Sequence, residues 1–63
     1  MKLLDVVMLR EDLPAKGLRK GQRGTIVFVF EGAFEVEFCD HEGQTLAEVA
    51  LKPEQIDLVW ESK

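Results

Sequence analysis

The sequence holds a single cysteine, Cys39, and a single histidine, His41, among 63 residues. A lone cysteine excludes an internal disulfide. One cysteine with one histidine also falls short of the ligand set of a structural zinc site. Tyrosine is absent, tryptophan occurs once as Trp60, and the only prolines are Pro14 and Pro53. No apolar run approaches the roughly 20 residues that a membrane-crossing helix requires. The stretch Leu3 to Leu9 is short and interrupted by Asp5, which is unlike the apolar segment of a secretory signal. A cytoplasmic protein without membrane attachment is therefore expected. The length allows one domain, residues 1–63, and there is no repeat, low-complexity tract or linker. A chain of this size buries only about 60% of its unfolded surface, so its stability must come from tight packing or from association.

What is present is dominated by strand signals. Asp5 to Leu9 (DVVML) reads as a short first strand. Arg10 to Arg23 is a long polar connection in which Pro14, Gly17 and Gly21 resist regular structure, with Leu13 and Leu18 as anchors that pin it to the core. Gly24 to Phe30 (GTIVFVF) is β-branched and aromatic throughout. Alternation places Ile26, Phe28 and Phe30 on one face and Thr25, Val27 and Val29 on the other. Both faces are apolar, so the outer one is either covered or, if exposed, a contact patch. Glu31-Gly32 is a tight-turn signal. Ala33 to Cys39 (AFEVEFC) then alternates cleanly, with Phe34, Val36 and Phe38 inward and Glu35 and Glu37 toward water. After the turn Asp40 to Gly43, Gln44 to Leu51 is read as a further strand, with Thr45, Ala47, Val49 and Leu51 on one face. Lys52 to Gln55 forms one helical turn, with Pro53 where its missing N–H costs little. Ile56 to Trp60 closes as a fifth strand. The plan is all-β: a small SH3-like barrel of about five antiparallel strands with a long first loop and one helical turn before the last strand, whose closure would protect the sheet edges.

The order of a DVV strand, a DLP-containing loop, the segment GLRKGQRGTIV, the strand FEVEF and a final short strand resembles one uncharacterised family of short bacterial proteins, common in cyanobacteria. The resemblance covers nearly the whole chain. It implies an SH3-like barrel of unestablished molecular function. Some members are encoded beside small nuclease-like or toxin-like proteins, which implies an antitoxin or immunity role. Gly17 to Val27 is also similar to the loop-strand motif of KOW domains, and the overall plan is similar to the small SH3-like subunit that docks ferredoxin on the photosynthetic NDH-type complex.

Charge is divided along the chain. Residues 1–24 carry six basic and three acidic side chains, and residues 25–63 carry two basic and nine acidic. Such asymmetry marks faces that meet charged partners, or simply a solvated surface. Lys16, Arg19, Lys20 and Arg23 place four cations on the glycine-bearing loop, suited to phosphates or to an acidic protein such as a ferredoxin. Against nucleic acid stand the acidic balance of the chain and the inward alternation of its phenylalanines. Glu35 and Glu37 share one strand face, and with Glu31, Asp40 and Glu42 they suit an antitoxin that mimics nucleic acid in a basic cleft. Trp60 is read first as a core plug at the barrel's end and alternatively as a partner anchor. Cys39 is read as a small, partly buried residue and His41 as a solvated turn residue. No catalytic triad, phosphate-cradling glycine motif or metal-ligand spacing is present, and a barrel this small leaves little interior for a substrate. The expectation is a non-catalytic protein-interaction module without a cofactor, monomeric or a small homo-oligomer. Its candidate partner-binding residues are Lys16, Arg19, Lys20, Arg23, Glu35, Glu37 and Trp60. A KOW-like nucleic-acid binder and an accessory subunit docking an acidic electron carrier are the alternatives.

Overall fold

The computed structural model describes residues 1–63. Its strands are β1 (Val6–Leu9), β2 (Arg23–Phe30), β3 (Ala33–Cys39), β4 (Thr45–Leu51) and β5 (Ile56–Trp60). Two single 3-10 turns, Pro14–Lys16 and Pro53–Gln55, interrupt them, and there is no α-helix. No helix is long and apolar enough to cross a membrane. All five strands belong to one antiparallel sheet in the order β4-β3-β2-β1-β5. The all-β architecture, the strand count and the lone turn ahead of β5 stand as expected.

The expected closure into a barrel does not occur. β4 and β5 occupy opposite edges of the sheet and share no ladder. The reason lies in the Lys52–Gln55 connection. It delivers Ile56 opposite Leu9 of β1, so β5 extends the far side of the sheet and does not return along β4. The sheet nevertheless bends enough for Leu51 of β4 and Ile56 of β5 to enter one core, with Val7, Leu9, Leu18, Ile26, Val36 and Phe38. Register shifts between Ile26 and Phe28, between Phe38 and Cys39, and between Val6 and Val7 accompany this curvature, as bulges do.

Gly24 is required where β2 crosses β3. A Cβ there would lie 2.6 Å from Val36 Cγ1 and 2.9 Å from the Glu37 carbonyl oxygen, and the backbone atom has no freedom to yield. Leu13 and Leu18 anchor the long loop as expected. They exchange two backbone hydrogen bonds, and Leu18 is buried while Leu13 packs on the core margin.

The inward assignment of Phe34, Val36 and Phe38 holds, but three other side chains are not where alternation placed them. Phe28 and Phe30 are 55% and 43% exposed, and Trp60 is 54% exposed. The shift at Val27 moves Phe28 opposite Glu35, onto the face away from the core, and Phe30 follows two residues later. Trp60 is displaced by the shift beside Val6, which breaks its alternation with Ile56. Cys39 is also exposed, because the last bulge ends the regular pairing of β3 at Phe38.

Candidate functional site

The sheet has no second layer, so its outer face is open to solvent. Cross-strand pairing orders that face into rows. One row runs Trp60, Val6, Thr25, Glu37 and Glu48, and the next carries Phe28, Glu35 and Ala50. The Phe28 and Phe30 rings lie 4.8 Å apart at a tilted angle of 56°. This is the geometry of an attractive aromatic pair, and here it is left uncovered. Glu37 is held by the Thr45 hydroxyl, which donates to Oε2 at 2.6 Å. Neither Glu35 nor Glu37 forms an ion pair. Aromatic surface and free carboxylates thus alternate across the centre of one exposed sheet.

The basic loop forms a second, separate feature between β1 and β2. Its backbone is fixed from within. The Lys16 and Gly17 N–H groups donate to the Leu13 and Pro14 carbonyls, and Gly17 takes the left-handed conformation at φ 69° that closes the turn. Asp12 accepts the Lys20 N–H at 2.8 Å, and Gln22 accepts the Arg19 N–H at 2.7 Å. The side chains of Lys16, Arg19 and Lys20 are left free in solvent, without ion-pair partners. Arg19 and Lys20 border an open depression of about 640 Å³, lined also by Asp12, Pro14, Gly17 and Leu18, and Lys16 lies outside it. Arg23 belongs instead to the outer face of β2, opposite Met8. The structure therefore separates the four basic candidates. Two line a loop depression, Lys16 is exposed on the same loop, and Arg23 sits on the sheet two residues from Thr25, which faces Glu37.

Sequence reasoning identified the free cations, Glu35 and Glu37, and it missed Phe28 and Phe30 as surface groups. The signal was present in the doubly apolar character of GTIVFVF, but periodicity alone does not say where a bulge exchanges the two faces. His41 is exposed in a turn organised by Asp40, whose Oδ1 accepts the Glu42 and Gln44 N–H groups at 2.9 Å each.

Asp5 carried no assignment from the sequence, yet it is the one buried ionisable residue, 1% exposed. It accepts the N–H of Lys2 at 2.9 Å, the Lys2 ammonium at 3.2 Å, and the N–H and hydroxyl of Ser62 at 2.8 and 3.0 Å. Desolvation pushes its carboxyl upward. The hydrogen bonds from Ser62 and Lys2 outweigh that and hold it well below the usual carboxylate range. Its role is architectural: it ties both chain ends to the start of β1. With Lys2 bridging to Glu61 as well, Trp60 is presented from a braced strand end.

No curated protein and no solved structure matches the chain. The family model described as a domain of unknown function, DUF4926, covers residues 3–58, and the chain, with its five-stranded open sheet and its aromatic-acidic outer face, belongs to that family.

Proposed function

We propose that this protein is a non-catalytic protein-interaction module that engages a basic partner through the outer face of its sheet. The observation that supports this reading is the exposed Phe28–Phe30 pair beside the unpaired carboxylates of Glu35 and Glu37. Buried aromatic anchors surrounded by a charged rim supply most of the energy of protein interfaces. The carboxylates would select a partner of opposite sign and speed its encounter. The basic cleft of a nuclease-like or toxin-like protein has that chemistry, so an antitoxin or immunity role is the form this activity takes in our reading. Trp60 lies at the edge of the same face and extends the contact.

The experiment is co-expression with the product of the neighbouring gene, followed by co-purification. Phe28→Ser with Phe30→Ser is expected to lower the retained partner at least tenfold, and Glu35→Lys with Glu37→Lys should do the same, with residual binding that rises as salt screens the new repulsion. Arg19→Glu with Lys20→Glu is expected to leave it intact. Retention lost only through the loop variant would move the site to the depression at Arg19 and Lys20, and the partner would then be acidic.

A further inference from the structure

The open sheet leaves two edges, and they are not alike. β5 is blunted by its bulge near Trp60 and by Asp57. In β4 the run from Ala47 to Leu51 has no proline, lysine or register shift, and Glu48 is its single charged residue. Beside it the core is incompletely covered: Ala47 and Val49 are only half-buried although they pack on the core cluster.

Hydrogen-bond alternation identifies which groups of β4 are free. The Ile26 N–H donates to the Asp5 carbonyl, and the Ile26 carbonyl accepts from Leu4, so Ile26 faces β1. Thr25 then faces β3 and its partner Glu37, which leaves Val36 and Phe38 facing β4. Val49 and Ala47, their partners, face back toward β3. The N–H and C=O groups of Glu48 and Ala50 therefore point outward from the edge.

We infer that β4 pairs antiparallel with β4 of a second copy about a two-fold axis at Val49, joining two sheets into one of ten strands. This goes beyond the outer-face reading and rests on the backbone edge of β4, not on Phe28, Phe30, Glu35, Glu37 or Trp60. A two-fold that keeps the core faces on one side must set one residue opposite itself. An axis at Glu48 would oppose two carboxylates, which is destabilising. An axis at Val49 sets Glu48 opposite Ala50 of the other copy and uses all the outward N–H and C=O groups of both residues. The same register sets Ala47 opposite Leu51, so the half-covered margin of each core is closed by the other. Lys52, extended at φ −83° and ψ 156°, falls diagonal to Glu48 of the other copy and offsets the diagonal approach of the two glutamates.

Sedimentation equilibrium should give twice the 7.2 kDa monomer mass at high concentration, dissociating on dilution. In a Cys39→Ser background, Val49→Cys should form an intermolecular disulfide under mild oxidation, because residues opposite themselves in this register have Cα atoms about 4.5 Å apart. Leu46→Cys, which the register sets opposite Lys52 of the other copy, should not. Ala50→Pro, whose lost N–H points away from β3, should give a monomer with an unchanged circular dichroism spectrum. Wild-type chains that stay monomeric at millimolar concentration, cross-linking at residue 46 as fast as at 49, or an Ala50→Pro dimer of undiminished affinity would each overturn the inference. The Phe28→Ser, Phe30→Ser variant should dimerise normally, so loss of partner binding and loss of dimer report separately.

Discussion

A single carboxylate decides how the ends of this chain behave. Asp5 is buried, ionised and fully bonded, and both its donors come from terminal segments. Its carboxyl holds a proton less tightly in the folded protein than in the unfolded chain. The stability it contributes is present above the ordinary carboxylate value of 3.8 and is lost as pH falls through the lowered folded value. Asp5→Asn is expected to lower the urea midpoint at pH 7, because the amide presents an N–H₂ to donors that need an acceptor. The same variant should lose less stability than wild type between pH 7 and pH 2. Parallel pH profiles for the two proteins, followed by urea denaturation, would show that the carboxylate is not the linked group.

At the level of the element, β2 carries the main lesson. Its extent, its pairing with β3 and the tight turn at Gly32 were legible from composition and alternation, as were the loop anchors Leu13 and Leu18. The bulge at Val27 was not. In Thr25–Phe30 the residues at odd and even positions are almost equally apolar, so a one-residue shift leaves no trace in the hydrophobic pattern. In β3, where glutamates mark the outer positions, the same alternation placed Phe34, Val36 and Phe38 correctly. Stability should follow the structure and not the pattern. Phe38→Ala is expected to cost about 3–5 kcal/mol, the range for a buried aromatic. Phe28→Ser with Phe30→Ser should change stability by less than about 1 kcal/mol, as exposed positions do. Urea denaturation of both variants checks this, and equal losses would mean that the two rings belong to the core after all.

For the molecule as a whole, only ten residues are buried, and as many large hydrophobic side chains are exposed. That balance is unusual for a chain meant to stay alone in water, since extended apolar patches on small proteins generally mark contacts. The charge division seen in the sequence survives folding as two separate features, a cationic loop and a carboxylate-bearing sheet. The antiparallel β2-β3-β4 meander could be read from its two short turns, but the placement of β1 between β2 and β5 could not. Closure could not, because it depends on where one 3-10 turn directs five residues. The contacts at Asp5 have a final consequence for connectivity. Leu3 and Ser62 are joined by a hydrogen bond of 2.9 Å, so the polypeptide already runs almost in a circle. Ligating its two ends through a few glycines would add little strain while removing much of the freedom of the unfolded chain. The cyclised protein is expected to melt at a higher temperature than the linear one, and an unchanged midpoint would mean that the two ends are not held together in solution.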